Sequence, residues 1–311
     1  MTVPHVLAID IGGTKIAAAI MDADGKLHHV ASRPTPARAG ATEILAATAA
    51  LGHEVREAAA ADGVDVTAAG VGASGAIDRT RGVVTYAGAT LAGWAGTRVA
   101  DELARAFALP VVAENDVNAV ALGELHYGAG QGLTDVLVVA VGTGVGGALI
   151  IGGDVYHGAT FSAGELAHLL VDLKGGRLCN CGQFGHLEAY AAGPAIAARY
   201  GDLARSVETF DLRVVAGRAE AGDSLARQAI SEGAEILGRA LAGLLCVLDP
   251  QALIVGGGVA DLGAIWWTPF SAALRAGPVP GPAGVQILPA RHGGRAVLLG
   301  AGWLALASCK T

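Results

Sequence analysis

Apolar residues in this chain come in short unbroken runs interrupted by glycine-rich turns, and two of these stretches share one design. Ala8-Ile9-Asp10-Ile11-Gly12-Gly13-Thr14-Lys15 leads into Ile16-Ala17-Ala18-Ala19-Ile20. Val139-Ala140-Val141-Gly142-Thr143-Gly144-Val145-Gly146-Gly147 leads into Ala148-Leu149-Ile150-Ile151. An apolar run, a turn and a second apolar run predict a buried β-hairpin in each case. Further turns, Asp22-Ala23-Asp24-Gly25 and Gly152-Gly153-Asp154, close them. Glycine lets the backbone approach a ligand and turn its N–H groups inward, while threonine adds a hydroxyl donor. Two such turns predict two lobes that grip one polyphosphate from opposite sides.

Elsewhere the pattern alternates between strand and helix. A polar stretch through Pro34 and Pro36 follows the first hairpin, and residues 43–61, rich in Ala, Leu and Glu, predict a helix weakened by Gly52. Residues 68–72 form a short apolar run ending in the turn Ala73-Ser74-Gly75, and Val83-Val84-Thr85-Tyr86 reads as another strand. An amphipathic helix is expected over 98–108, then a buried strand at Val111-Val112-Ala113 that stops at Glu114-Asn115-Asp116. Beyond it the pattern predicts a helix over 117–125, the second hairpin, and a long helix over 225–248 ending at Asp249-Pro250. A buried strand, Ala252-Leu253-Ile254-Val255, then breaks into Gly256-Gly257-Gly258, and residues 297–307 suit a last helix. This order indicates an α/β architecture, and the paired hairpins imply duplicated lobes, not a solenoid. The expected division is a small lobe over 1–116, completed by the C-terminal helix at about 297–311, and a large lobe over 117–296.

Composition narrows the partners. A chain of 311 residues has room for two domains. With 52% apolar and 16% charged residues it is not a disordered chain. A net charge of −7 argues against nucleic acid as the main partner. The N-terminus shows no secretory signal. The uncharged stretch between Asp135 and Asp154 is long enough for a membrane helix, but its glycines and central turn make it a hairpin. A cytoplasmic protein with no membrane partner is the expectation. Of four cysteines only Cys179 and Cys181 lie close together, which in a reducing compartment suggests metal before disulfide. Cys246 reads as a buried small hydrophobe and Cys309 as a tail residue.

Gly142-x-Gly144-x-x-Gly147 matches the dinucleotide fingerprint literally, with Glu165 about 20 residues on. That fingerprint must open a helix whose N-terminus receives the pyrophosphate. Here Ala148-Leu149-Ile150-Ile151 before Gly152-Gly153 reads as a strand, so a nicotinamide enzyme is disfavoured. No Gly-Lys-Ser/Thr P-loop and no protein-kinase signature occurs.

Asp116 follows a buried strand at the start of a predicted helix, where an anion is favoured. One reading makes Asn115 and Asp116 an ordinary N-cap pair. The other reads Asp116 as a carboxylate kept ionised at neutral pH by the helix N-terminus.

Five stretches follow one another between Asp10 and Glu188: Asp10-Ile11-Gly12-Gly13-Thr14-Lys15, Glu114-Asn115-Asp116-Val117-Asn118, Gly142-Thr143-Gly144-Val145-Gly146-Gly147, Gly164-Glu165-Leu166-Ala167-His168 and Cys179-Asn180-Cys181-Gly182-Gln183-Phe184-Gly185-His186-Leu187-Glu188. In this order the chain resembles the ROK family (repressor, open reading frame, kinase) of bacterial sugar kinases and sugar-responsive repressors. The resemblance implies an actin-like, ribonuclease-H-like fold of two lobes with ATP in the cleft, and phosphoryl transfer to a sugar, usually at the 6-hydroxyl. Repressor members carry a helix-turn-helix domain ahead of the first phosphate turn. This chain reaches Asp10 almost at once, so the kinase branch is expected, with a catalytically idle sugar sensor as the alternative.

Residue by residue, the resemblance makes Asp116 the general base and Asn115 a partner of a neighbouring sugar hydroxyl. Glu165, His168 and Glu188 take further hydroxyls, and Gly75 brings backbone close to the sugar. Asp10 acts on Mg²⁺ through water, Lys15 is either a neutraliser of phosphate or an ordinary surface lysine, and Gly12, Gly13, Thr14, Gly142, Thr143 and Gly144 cradle the phosphates. Gly256, Gly257 and Gly258 back the adenosine. His168, Cys179, Cys181 and His186 form a donor set for structural Zn²⁺, with His186 where the family usually has cysteine. The remaining histidines, His157 and His126 among them, read as surface or packing residues. Thr90 in Thr90-Leu91-Ala92-Gly93-Trp94 replaces an asparagine common in family glucokinases, and Ser74 replaces a frequent proline. Glucose, N-acetylmannosamine and N-acetylglucosamine therefore stay open as substrates. A homodimer is implied by the family's habit.

Overall fold

The computed structural model describes residues 4–88, 90–277 and 279–309. Its opening strands follow from the alternation of the first hairpin. β1 (His5–Ile11) pairs antiparallel with β2 (Lys15–Met21), Ile11 opposite Ile16, and β2 pairs with β3 (Leu27–Pro34). Leu7, Ile9 and Ile11 pack with Ile44, Leu51 and Val55 of α1 (Ala41–Ala61). Val6 and Ala8 join apolar clusters on the other face, and the two-residue period puts Asp10 on their side. β3 stands where a polar stretch was expected. It is an edge strand whose residues are alternately exposed, and His29, at φ 49°, lies where its register with β2 shifts.

Next come β4 (Val66–Ala73), the short hairpin of β5 (Ala76–Asp78) and β6 (Val83–Tyr86), α2 (Val99–Phe107), β7 (Val111–Asn115) and α3 (Asp116–Tyr127). β4 joins β1 in parallel and β7 joins β4, giving the sheet order β3-β2-β1-β4-β7.

The second unit repeats the scheme. β8 (Val136–Val141) and β9 (Val145–Ile151) form an antiparallel hairpin, after which the chain passes through β10 (Asp154–Val155). Helices α4 (Glu188–Ala191), α5 (Gly193–Ala204), α6 (Leu212–Glu220) and α7 (Ser224–Leu248) precede β11 (Ala252–Gly256), α8 (Ala264–Arg275) and β12 (Gln286–Pro289). β11 joins β8 in parallel and β12 joins β11. Each unit thus extends an antiparallel hairpin with parallel strands, the duplication that the two glycine turns predict. Sequence reading did not place α5, α6 or α8. α5 opens on Gly193-Pro194, where proline is tolerated, and α8 contains Pro269, which reads as a breaker. Cys246 proves exposed: it lies one residue past Leu245 on α7, turned away from the buried stripe of Leu241 and Leu245.

The chain ends in α9 (Ala296–Ser308); Lys310 and Thr311 of the expected helix lie outside the described residues. α9 is apolar all round because β1, β4 and α3 cover it. Glycine permits that closeness, since a Cβ on Gly70 would overlap the Ala301 carbonyl and one on Gly300 the Ala119 carbonyl. One compact unit comprises the described residues of Met1–Gly132, Asp154–Ala163 and Arg291–Thr311, and the other Leu133–Gly153 with Gly164–Ala290. The first runs past Asp116, where sequence alone draws the division, because α3 packs on α9.

Candidate functional site

In the first unit, the end of β7 and the start of α3 build an acidic centre. Asn115 is the N-cap: its Oδ1 accepts from the Val117 N–H (2.9 Å) and the Asn118 N–H (3.0 Å). Its Nδ2 donates to the Gly75 carbonyl (2.9 Å) and to Asp116 Oδ1 (3.1 Å). Asn115 thus fills the N-cap role, with Asp116 bonded to its amide. These four bonds occupy the whole amide, so a sugar hydroxyl on Asn115 must replace one of them. Half-buried Asp116 also accepts the Val117 N–H (2.9 Å) on that oxygen.

Asp10 is 9% exposed. Burial, reinforced by the charge of Asp116 and opposed by Lys15, pushes its carboxyl from 3.8 up to about 7. Two carboxylates that feel each other in a poorly hydrated place gain from a cation. Beside Asp10 the Gly12 N–H donates to the Lys15 carbonyl (3.1 Å), and Thr35 Oγ1 donates to the Gly12 carbonyl (2.7 Å). Thr14 and Lys15 are exposed. Gly13 lies against the methyl of exposed Thr90, which a Cβ there would displace. Gly75, at φ 102°, takes the tight turn after β4, and Trp94 Nε1 donates to the Ser74 carbonyl (2.9 Å).

Two residues of this centre escaped sequence reading. Glu114 is completely buried: Oε1 accepts from the Asn115 N–H (2.9 Å) and Asn118 Nδ2 (2.9 Å), and Oε2 lies 2.8 Å from His157 Nε2. A carboxylate ending a buried strand is a signal for the first. Nothing in the sequence singles out His157, which was expected merely to pack or face solvent.

In the second unit, the Gly142 N–H donates to the Gly144 carbonyl (2.9 Å), and the Gly142 carbonyl accepts the Gly193 N–H at the start of α5 (2.8 Å). Gly257, at φ 96°, passes so close to Val141 that a Cβ would overlap its carbonyl. The phosphate-type turn thus abuts the glycines after β11, with Thr143 and Gly258 exposed. Glu188 lies against this turn: its carboxylate accepts from the Val145 N–H (3.1 Å) and Asn180 Nδ2 (3.3 Å). Glu165 Oε2 stands 3.9 Å from His168 Nε2. Partial burial holds the Glu165 carboxyl above its ordinary value, with His168 opposing and Glu188 adding to the shift. The three expected sugar-binding residues are therefore neighbours.

The ligating atoms of His168, Cys179, Cys181 and His186 all lie within 4.8 Å of one another. Cys181 Sγ is 3.2 Å from His186 Nδ1. The buried Nδ1 of His168 has no hydrogen-bond partner, an arrangement that costs free energy unless a ligand fills it. Cys179 is buried, and burial pushes its thiol up. A closed set of two imidazoles and two thiols suits tetrahedral zinc, which would deprotonate the thiols. The knuckle is pinned by its backbone: the Cys179 N–H donates to the Gln183 carbonyl (2.8 Å), and the Gly182 N–H to the Cys179 carbonyl (2.9 Å).

The ROK family model matches residues 6–308. The chain belongs to the ROK family. Among its ROK relatives, a glucokinase of Halalkalibacterium halodurans is 32% identical, the match covering 96% of this chain and 94% of that one. An N-acetylmannosamine kinase of Shigella boydii is 35% identical over 81% of this chain and 82% of its own. The structure resembles that of a ROK family glucokinase from Streptomyces griseus in complex with glucose and AMPPNP, with a TM-score of 0.85 and 35% identity over 97% and 99% of the two chains. A ROK hexokinase from Thermus thermophilus gives a TM-score of 0.83 at 35% identity, over 98% and 99%. The duplicated hairpin units are those of the actin-like, ribonuclease-H-like ATPase fold.

Proposed function

We propose that this ROK chain is a sugar kinase that transfers the γ-phosphoryl group of ATP to a hexose hydroxyl, the 6-hydroxyl, with Asp116 as general base. The observation that carries the reading is the Asp116 carboxylate, fixed by Asn115 at the start of α3 with the buried Asp10 within its field. As the acceptor oxygen bonds to phosphorus, Asp116 takes its proton. Asp10, once ionised, would hold Mg²⁺ through water, and the ion would supply positive charge to the phosphates. Backbone N–H groups of Gly13, Thr14, Thr143 and Gly144 serve the phosphate oxygens, with Lys15 in support, while the N–H groups of Gly12 and Gly142 close the turns that present them. Gly257 and Gly258 leave room for the adenosine.

Glu165 and Glu188 accept hydrogen bonds from sugar hydroxyls, His168 donates one from Nε2 with its unpartnered Nδ1 left for the metal, and Gly75 presents backbone to the ring. Structural Zn²⁺ would be held by His168, Cys179, Cys181 and His186, and would fix the loop that carries Glu165 and Glu188. Similarity to both a glucokinase and an N-acetylmannosamine kinase supports glucose or an N-acetylhexosamine as acceptor. Dependence on ATP suits the cytoplasm, and the family resemblance supports a homodimer.

ADP release tests this reading across glucose, mannose, fructose, N-acetylglucosamine and N-acetylmannosamine. Sugar-dependent ADP release with at least one of them is expected. Protein that binds ATP and sugar yet releases no ADP with any would instead be a sensor.

A further inference from the structure

Glu114 is the most completely enclosed carboxylate of the acidic centre, and the proposed chemistry gives it no task. Its four near neighbours are the Asn115 N–H (2.9 Å), Asn118 Nδ2 (2.9 Å), His157 Nε2 (2.8 Å) and Arg79 Nε (3.8 Å). A buried carboxylate needs such partners, and losing one leaves charge unsatisfied. Against a carboxylate, Nε2 of His157 is the donor. His157 comes from the segment Asp154–Ala163, which belongs to the first unit. That segment is folded on itself: the Ala163 N–H donates to the His157 carbonyl (3.2 Å), and the His157 ring meets Phe161 edge-on at 6.3 Å. Phe161 is held at φ 59°, a conformation bulky residues avoid.

The bonds lead from His157 to the proposed base. Oε2 of Glu114 takes His157, and Oε1 takes the backbone N–H of Asn115, the residue whose amide holds Asp116 Oδ1. The same oxygen accepts from Nδ2 of Asn118 and so orients its amide, whose buried Oδ1 has no hydrogen-bond partner. We propose that Glu114 and His157 are positioning residues: His157 locks the buried Glu114 carboxylate, which sets Asn115 and the first turn of α3 and so aims Asp116 at the acceptor hydroxyl. This rests on the reading of Asp116 as the base.

The test compares His157→Leu, His157→Gln and Asp116→Asn with the parent in steady-state turnover, using the best acceptor sugar and MgATP. Glutamine can present an amide N–H where Nε2 stood; leucine cannot. The expected result for His157→Leu is a kcat lower by about 10- to 100-fold with KM for ATP within about twofold, since a misaimed group costs rate more than nucleotide binding. His157→Gln should recover kcat to within about threefold of the parent. A His157→Leu kcat within about twofold of the parent, or a glutamine variant as slow as the leucine one, overturns the proposal. If His157→Leu does not fold, His157→Asn carries the test, because its shorter amide falls short of Glu114 and the same loss is expected. Asp116→Asn separates the two ideas. An active Asp116→Asn sinks the base reading itself, whereas an inactive one beside a fully active His157→Leu sinks only the positioning role.

Discussion

Asp10 and Asp116 are both carboxylates of one centre, yet their surroundings separate them. Asp10 is buried on the face of β1 that alternation dictates, and its carboxyl titrates at about 7, from an ordinary 3.8. In the free protein it is therefore largely protonated below that value. A cation needs the ionised form, so binding of MgATP should release a proton below pH 7 and tighten as pH rises from 5.5 to 7.5, levelling above. Calorimetric titrations across that range check this, and an affinity indifferent to pH would contradict it. The linkage has a second consequence. A native group that binds its proton more tightly than the unfolded chain loses stability as pH rises between the two values. Asp10 alone should thus weaken the metal-free protein between about pH 4 and pH 7, which urea unfolding without Mg²⁺ can read. At this scale the sequence marked Asp10, Asn115 and Asp116 by their motifs. Glu114 and His157 stayed hidden because their partnership joins residues far apart in the chain.

Among the elements, close approach is the recurring device. α3 and α9 meet backbone to backbone, with Gly300 against the Ala119 carbonyl. Gly300→Ala should lower unfolding free energy by roughly 1–3 kcal/mol, the usual cost of overfilling a packed contact. Urea unfolding measures it, and an unchanged midpoint would mean the helices slide apart freely. The thiol-bearing knuckle makes a parallel case. Chelation of zinc should lower thermal stability and raise KM for the sugar more than KM for ATP, because Glu165 and His168 share the knuckle's loop while the Gly12 turn does not. Elemental analysis should find about one zinc per chain. A metal-free protein with full activity would count against the site. The hairpins, α7 and α9 were legible because their patterns are long and strong. β3, an alternately exposed edge, and α8, with Pro269 inside it, were not, because packing overrides local signals there.

For the whole molecule, the duplicated hairpin-plus-parallel-strand units explain why two matching glycine turns occur in one chain. Membership of the ROK family joins that architecture to sugar phosphorylation, while the substituted positions Ser74 and Thr90 leave the acceptor to be chosen by experiment. None of the helices among the described residues is long and apolar enough to cross a membrane. Turnover of Asp116→Asn, measured beside its binding of ATP and of sugar, tests the central claim most directly. Loss of kcat by about 10²- to 10⁴-fold, with both dissociation constants within about threefold of the parent, is the predicted result. Turnover within about tenfold of the parent would contradict the account, because the acceptor's proton would then be leaving by another route.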